Sequence, residues 1–316
     1  MPVGRIGMKS LVKSCPLKAG DSVAIAAPAA CLNEEGRAYL EKAISVLEGW
    51  GFRVKTIPDP FRRRGYFAGG DRERAEEFMR LFSDPGVRAI LCARGGYGSQ
   101  RIIPFLNPQV IRTNPKMFVG SSDITTLLVY LLERCDMVPF HGPNVATRQF
   151  TKRGAKTTQD SLREALGLGL PGEIPNCRPL KGGVRKGKIK GGCLSLLVTT
   201  LGTGYEIDLR GAILFVEDFK EPLYRIDRML THMKQAGKLD QIRGLVFGEM
   251  VDCGRKEEVD LESVLRDLFS DQEIPIVLGF PSGHGRTSLT IPLGVDVTLD
   301  GDHGRLIFTE SGLSIP

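Results

Sequence analysis

Hydrophobic and polar positions follow a strand, helix, strand order at the start of the chain. The apolar run at 21–28 (DSVAIAAP) predicts a buried strand, and the segment after it places apolar residues three and four positions apart, which is the helical period. Gly51 predicts the end of this helix, and the segment 53–57 (RVKTI) predicts the next strand. The chain therefore begins with a predicted β-α-β unit.

The same order continues as far as residue 134. Helices are predicted at 71–82, 100–106 and 124–134, and strands at 87–93 and 116–119. This alternation predicts a doubly wound, flavodoxin-like parallel sheet with helices on both faces, in an α/β fold. Ligands bind at the carboxyl ends of the strands in such a sheet. We therefore expect the functional residues in the turns that follow the strands.

The hydrophobic period fades after residue 151, where glycine, proline and lysine accumulate. We expect a linker at 161–185, which divides the chain into an N-terminal domain (1–160) and a C-terminal domain (186–316). The second domain has strands predicted at 212–216, 244–248, 276–278, 294–299 and 304–308, and helices near 224–236 and 261–268. This mixed order with late hairpins predicts a smaller α/β domain with a mixed sheet.

Charge and cysteine content narrow the possible partners. The 316 residues carry a formal net charge of +6, and the basic residues have none of the spacings of an RNP, helix-turn-helix or zinc-finger motif, so nucleic acid is not an expected partner. Seven cysteines form no C-x-x-C pair. This pattern argues against a disulfide framework or a zinc site and favours a reducing compartment.

The sequence contains no pattern typical of a targeting or membrane-spanning segment. The basic N-terminus lacks the apolar region of a signal peptide, and the longest apolar stretches fall far short of the roughly 20 residues that span a bilayer. We therefore expect a cytoplasmic protein that does not interact with a membrane.

A serine pair lies in the turn between a predicted strand and the helix after it. The turn contains Gly120, Ser121, Ser122 and Asp123. A serine on such a turn presents its hydroxyl above the sheet, and N–H groups at the start of the helix can stabilise an oxyanion. The second half of the G-x-S-x-G hydrolase motif is absent, so a helix N-cap at Ser121 or Ser122 is the alternative interpretation.

A glycine-rich loop follows the strand at 87–93. It contains Arg94, Gly95, Gly96 and Tyr97. If the two strands are neighbours in the sheet, N–H groups of the loop can approach the serine turn and complete an oxyanion hole. A phosphate-binding loop is the alternative, although neither the P-loop nor the Rossmann fingerprint is present.

The four histidines limit the choice of a general base. They are His141, His232, His284 and His303. The patterns around His232 and His303 predict surface positions. His141 and His284 each follow a strand next to glycine or proline, so we expect His141 to shape the pocket and His284 to reach across from the second domain.

A catalytic histidine also needs a carboxylate to orient it. Glu217 and Asp218 stand where the strand at 212–216 ends, and a carboxylate at a strand end suits this role. For Asp218, helix capping or ion pairing is the alternative. The resulting order is Ser, Glu, His, with contributions from both domains.

Eight segments, in the same order along the chain, resemble the murein LD-carboxypeptidases, a family of serine peptidases. They are GDSVAIAAPA at 20–29, YFAGGDRERA at 66–75, AILCARGGYG at 89–98, VGSSDITTLL at 119–128, HGPNVAT at 141–147, GGCLSLL at 191–197, ILFVEDFKEPLYRIDRML at 213–230 and GFPSGHG at 279–285. Two positions depart from the pattern: Ser121 replaces a residue that is often larger, and Cys193 replaces a common asparagine.

The resemblance implies a catalytic triad of Ser122 as nucleophile, Glu217 as orienting acid and His284 as general base. It also implies an oxyanion hole made by the N–H of Asp123 with that of Gly95 or Gly96. A carboxypeptidase must hold a terminal carboxylate as well. Arg94 is a candidate for that contact, and Tyr97 and His141 are further candidates for substrate binding.

The reaction implied by the resemblance removes the terminal D-alanine from murein tetrapeptide (L-Ala-γ-D-Glu-meso-diaminopimelate-D-Ala) during peptidoglycan recycling. It needs no metal and no other cofactor, and the enzyme is expected to be a homodimer with a muropeptide as its substrate.

Other functions are open. Relatives of this family hydrolyse peptidyl-nucleotides and give immunity to microcins, but they need an aromatic residue for the nucleobase, and the one tryptophan, Trp50, lies on a predicted core helix. A non-catalytic muropeptide-binding protein would be favoured by the loss of a triad position, and all three are present. A glutamine-amidotransferase-like enzyme would need a cysteine at the serine turn.

Overall fold

The computed structural model describes residues 10–56, 59, 61–167, 172–254 and 259–314. The strands are β1 (Ser22–Ala26), β2 (Arg53–Thr56), β3 (Ala89–Cys92), β4 (Met117–Gly120), β5 (Phe140–His141), β6 (Glu173–Ile174), β7 (Arg178–Lys181), β8 (Val184–Cys193), β9 (Ala212–Phe219), β10 (Gly244–Val251), β11 (Ile276–Leu278), β12 (Ile291–Pro292), β13 (Asp296–Asp300) and β14 (Arg305–Phe308).

The α-helices are α1 (Glu34–Gly49), α2 (Asp71–Ser83), α3 (Ser99–Ile102), α4 (Pro108–Thr113), α5 (Thr125–Glu133), α6 (Arg148–Thr151), α7 (Lys156–Gly167), α8 (Leu194–Val198), α9 (Leu223–Gln235) and α10 (Leu261–Leu268). Short 3₁₀ helices span Ile103–Phe105, Ser122–Ile124 and Leu239–Gln241. Within the described residues, no helix combines the length and apolar composition needed to cross a membrane.

The first sheet has the strand order β12-β5-β4-β3-β1-β2. Strands β1 to β5 are parallel, and their order 2-1-3-4-5 is that of a flavodoxin-like doubly wound sheet, which confirms the predicted fold. Every residue of β1, β3 and β4 is buried, as expected when helices cover both faces. Strand β12 adds an antiparallel edge from the C-terminal part of the chain.

The predicted elements of the first half are present. Helix α1 begins after Asn33, whose side chain accepts the Gly36 N–H at 2.8 Å, and it buries Leu40, Ala43 and Leu47 at the predicted spacing. The helix predicted at 100–106 is α3 followed by a 3₁₀ turn. Position 57, at the end of the second predicted strand, lies outside the described residues.

The second sheet is mixed, as predicted, with the order β6-β14-β13-β8-β9-β10-β11-β7. Its four central strands, β8 to β11, are parallel, and the outer strands are antiparallel. The segment expected to be a linker, 161–185, contains the end of α7, strands β6 and β7, and the start of β8; residues 168–171 lie outside the described part. The division into domains stays a prediction.

One apolar cluster spans the two sheets, and a second cluster packs on the second sheet. Phe215, Val246 and Phe280 belong to the cluster of the first sheet, whereas Leu214 and Phe247 belong to the second. A Cβ added at Gly192 on β8 would lie 2.7 Å from Thr125 Cγ2, so the end of β8 lies against the start of the helix that follows β4.

Candidate active site

Ser122 lies on a tight turn between strand β4 and helix α5. The residue begins a 3₁₀ helix that continues directly into α5, and its backbone φ is +63°. A non-glycine residue in this left-handed conformation carries a strain of about 1–3 kcal/mol, and a strained serine between strand and helix is the geometry of a nucleophile elbow. Ser121 stands at the N-cap position of the 3₁₀ helix, but its side chain makes no capping hydrogen bond.

The glycine-rich loop after β3 contacts this turn. A Cβ added at Gly95 would lie 2.8 Å from the Ser122 Cβ and 3.3 Å from the Asp123 backbone nitrogen. Gly96 has φ +100°, and a Cβ there would lie 2.5 Å from the Ala30 Cβ. Any side chain at Gly95 would therefore push the loop away from the nucleophile, so the close approach predicted from the sheet order depends on glycine.

The side chain of Asp123 ties the loop to the serine turn. Its Oδ2 accepts the Ser99 N–H at 2.8 Å, and Ser99 Oγ donates to the Asp123 carbonyl oxygen at 2.5 Å. Burial raises the pKa of the Asp123 carboxyl, while these hydrogen bonds act in the opposite direction. The backbone groups proposed for the oxyanion hole are thus held in one hydrogen-bonded unit.

Glu217 and His284 form the second half of the site. Glu217 Oε2 lies 2.6 Å from His284 Nδ1, and the Glu217 side chain on β9 is fully buried. Burial alone would raise the pKa of Glu217, but the charge of His284 and the neighbouring His141 lower it to about 2. Burial lowers the pKa of His284, and the Glu217 charge and hydrogen bond outweigh that effect and raise it. The Glu217 carboxylate therefore stabilises the imidazolium that forms when His284 takes up a proton.

Two connections bring this pair next to the serine turn. Cys193 is the partner of Glu217 in the register of β8 and β9, and its N–H donates to Thr125 Oγ1 at 3.1 Å, three residues beyond Ser122. The hydrogen bonds of the described residues include none between His284 and Ser122. Such a bond is often long or absent until substrate binds.

Two family models match the chain: the LD-carboxypeptidase N-terminal domain over residues 23–142 and the LD-carboxypeptidase C-terminal domain over residues 186–299. The chain belongs to the LD-carboxypeptidase family. This membership agrees with the resemblance found in the sequence.

Several relatives match this chain over most of their length. A Bacillus subtilis protein named "Probable murein peptide carboxypeptidase" is 35% identical over 308 residues, with 94% of each chain covered. The crystal structure of muramoyltetrapeptide carboxypeptidase from Oxalobacter formigenes has a TM-score of 0.80 at 30% identity, covering 90% of this chain and 97% of that one. The Escherichia coli microcin C7 self-immunity protein MccF has a TM-score of 0.88 at 25% identity, covering 96% and 99%.

His141 lies behind Glu217 and is not exposed to solvent. Its side chain is fully buried, with Nε2 at 3.6 Å from Glu217 Oε1 and Nδ1 at 3.3 Å from Ser282 Oγ. The ring packs edge-on against Phe215, with centroids 5.0 Å apart. Glu217 is thus placed between two histidines: His141 on strand β5 and His284 on the loop after β11.

Arg94 and Tyr97 differ in their exposure to solvent and in their contacts. Arg94 is partly buried, and its Nη1 donates to the Cys31 carbonyl oxygen at 3.1 Å. Tyr97 is 46% exposed, and its ring centroid lies 5.8 Å from that of Tyr66. Substrate binding by either residue stays a prediction.

Asp218 has the structural role that the sequence left open. Its Oδ2 accepts the Ser195 N–H at 2.8 Å in the first turn of α8, so Asp218 caps a helix while its neighbour Glu217 contacts the histidine. The Cys193 thiol lies 3.5 Å from Asp218 Oδ1. Burial raises the pKa of this thiol well above its ordinary value, which keeps it neutral.

Three residues near His284 were not predicted from the sequence. Phe219 stacks on the His284 ring, with centroids 5.2 Å apart and planes 12° apart. Glu249 contacts Gly285, and burial raises the pKa of its carboxyl. Gln149 donates to the loop that carries His284. The sequence held a signal for Glu249: like Glu217, it directly follows the apolar run of its strand and stands third from the strand end.

Metal ligation finds no support in the geometry. The described residues include no group of three or more His, Cys, Asp or Glu side chains that could hold a metal ion. A reaction without metal or cofactor stays a prediction.

Proposed function

We propose that this protein is a serine-type LD-carboxypeptidase that releases the terminal D-alanine from murein tetrapeptide in peptidoglycan recycling. The observation that carries the proposal is the contact of 2.6 Å between Glu217 Oε2 and His284 Nδ1, beside a serine with φ +63°. The names of the Bacillus subtilis and Oxalobacter formigenes relatives support the muropeptide substrate.

The reaction is an acyl transfer. With Nδ1 held by Glu217, His284 uses Nε2 to take the proton of Ser122 Oγ as this oxygen attacks the scissile carbonyl carbon. The N–H groups of Asp123 and of Gly95 or Gly96 stabilise the oxyanion. The carbon–nitrogen bond then breaks, and the D-alanine nitrogen takes the proton from His284. Water hydrolyses the acyl-enzyme by the reverse use of the same groups.

The bound peptide has a free terminal carboxylate that needs a donor. Arg94 stands directly before the glycine loop and carries a positive charge, so we assign it as the candidate for this contact; the exposed Tyr97, three residues later in the chain, is a further candidate for substrate binding. The proposed steps use only side chains and backbone groups of this chain.

A second candidate is hydrolysis of peptidyl-nucleotides, favoured by the TM-score of 0.88 to MccF. Such a substrate needs an aromatic platform for its base. Trp50 packs edge-on against Phe150, with centroids 6.2 Å apart. The muropeptide substrate is preferred because the relative named as a murein peptide carboxypeptidase is 35% identical, against 26% for MccF.

The decisive test supplies three candidate substrates to the purified protein. Murein tetrapeptide, murein pentapeptide and a peptidyl-nucleotide are incubated separately, and the products are identified by mass. We expect D-alanine from the tetrapeptide alone, and none with Ser122→Ala. Cleavage of the peptidyl-nucleotide alone would move the protein to the second candidate. Cytoplasmic location and a homodimer remain part of the proposal, and light scattering of the purified protein tests the latter.

A further inference from the structure

Gln149 bridges the two halves of the site. It lies on the short helix α6, and its Nε2 donates to the carbonyl oxygens of Gly283 at 2.8 Å and of Gly285 at 2.9 Å. One side-chain amide therefore uses both of its hydrogens on the two carbonyls that flank His284.

The other anchors of the loop around His284 include Glu217, Phe219 and Glu249 of the C-terminal half. Both neighbours of the histidine are glycines, so neither packs a side chain. Gly283 has φ +132°, and a Cβ there would lie 2.8 Å from Glu217 Oε2. From strand β10, the Glu249 N–H donates to the Ser282 carbonyl oxygen at 3.0 Å. From the N-terminal half, Gln149 holds the loop on both sides of the histidine, at Gly283 and at Gly285.

The helix that carries Gln149 is itself bound to the serine turn. Thr147, at its N-cap, donates through Oγ1 to the Asn144 carbonyl oxygen at 2.7 Å, and Asn144 Nδ2 donates to the Ser121 carbonyl oxygen at 3.2 Å. A short path of hydrogen bonds thus runs from the residue before the nucleophile to the residues on both sides of the base.

We propose that Gln149 is a positioning residue that sets the distance between His284 and Ser122 by holding the histidine loop against the nucleophile-bearing half. The inference rests on the proposed serine mechanism. A displacement of about 1 Å of a reacting group can reduce a rate about 10²-fold, so the loss of two anchoring bonds should affect the chemical step more than substrate binding.

The test compares Gln149→Glu and Gln149→Met with a matched control. Glutamate has the same shape but replaces the donor with an acceptor, and methionine keeps the length without any donor. The control is Gln272→Met: Gln272 is also partly buried, and its Nε2 donates to Asp240 Oδ1 at 3.1 Å, between the segment after α10 and the 3₁₀ helix at Leu239–Gln241. Two rates are measured: labelling of Ser122 by a fluorophosphonate, which needs an activated serine but no peptide recognition, and tetrapeptide turnover.

We expect both Gln149 variants to lower the labelling rate and kcat by about tenfold or more, with KM changed by less than about twofold. The Gln272 variant should stay within about twofold of wild type in both rates. Rates are compared at a temperature where circular dichroism shows every variant folded. Wild-type labelling and kcat in either folded Gln149 variant would overturn the inference, as would a loss equal to that of the control.

The two proposals fail in different ways. If wild-type protein is labelled at Ser122 but releases no D-alanine, the proposed substrate is wrong and the labelling rates still decide the role of Gln149. If wild-type Ser122 is not labelled at all, both proposals are overturned.

Discussion

Cys193 stands directly opposite Glu217 in the parallel register of β8 and β9. Its backbone N–H crosses to Thr125 on the helix that follows the serine turn. The strand position opposite Glu217 is therefore joined to the helix after Ser122 by a hydrogen bond from the Cys193 backbone N–H to the Thr125 hydroxyl, which does not depend on the Cys193 side chain. The asparagine that the resemblance leads us to expect at this position could make the same bond.

Removal of the acceptor at Thr125 should weaken this junction. Thr125→Val keeps the volume but leaves the buried Cys193 N–H without its partner, so we expect a loss of about 1–3 kcal/mol in the free energy of unfolding. Urea denaturation measures it. The control, Thr113→Val, changes an exposed hydroxyl and should stay within about 0.5 kcal/mol of wild type. An equal effect of both variants would refute the role of the junction.

The strained backbone at Ser122 predicts a separation of stability from activity. Ser122→Ala and Ser122→Gly both remove the nucleophile and should abolish D-alanine release. Only glycine relieves the left-handed conformation, so the glycine variant should be more stable than the alanine variant by about 1 kcal/mol. Thermal denaturation compares the two. Equal melting temperatures would argue against backbone strain at this position.

The contact between Gly95 and Ser122 predicts a steric effect on catalysis. Gly95→Ala would place a methyl group 2.8 Å from the Ser122 Cβ, which displaces the proposed oxyanion donors, and we expect kcat to fall about 10²-fold. Gly49→Ala serves as a control because nothing lies within 4 Å of its added Cβ. Full activity of folded Gly95→Ala protein would show that the glycine-rich loop does not contribute to catalysis.

The ion pair predicts how activity depends on pH. Glu217 raises the pKa of His284, so kcat/KM should fall on acidification with an apparent pKa above the ordinary histidine value of about 6.5. In Glu217→Gln, kcat should fall about 10³-fold or more, and this acid limb should move to lower pH. The pH profiles of both proteins test this. Identical pH profiles of kcat/KM in the two proteins would show that Glu217 does not set the pKa of His284.

The same shifts predict how stability depends on pH. The pKa of His284 is higher in the folded state, so its stabilising contribution is complete at acid pH and is lost as the pH rises through the folded-state pKa. The pKa of Glu217 is lowered to about 2, so its contribution is present above its ordinary value and is lost as the pH falls toward 2. Urea denaturation at several pH values, with Glu217→Gln as the comparison, measures both.

The sequence predicted the fold well where periodicity is local. The runs that became β1, β3 and β4 are continuously apolar, and α1 and α10 have clear helical spacing. Helix α7 was missed because its buried face begins with Thr158 and is followed by a segment rich in glycine and proline. Strand β12 has only two residues and exists because β5 pairs with it, which no local pattern records.

The site divides in the same way. Strand ends and the serine turn pointed to Ser122, Glu217 and His284, while the resemblance supplied their roles. Gln149 carried no signal, because its partners lie 134 and 136 residues later in the chain and glutamine occurs on most protein surfaces. Similarly, the position of His141 behind Glu217 follows only from the packing of two sheets.

The antiparallel pairing of β12 with β5 has a consequence for biosynthesis. As the chain leaves the ribosome, the first five strands are available long before Ile291 and Pro292. Until those two residues arrive, β5 presents an open edge, which is a template for pairing with other chains. Release of a truncated product that ends before residue 291 should therefore favour aggregation, and the nascent first half needs shielding for the time that about 150 further residues take to be synthesised.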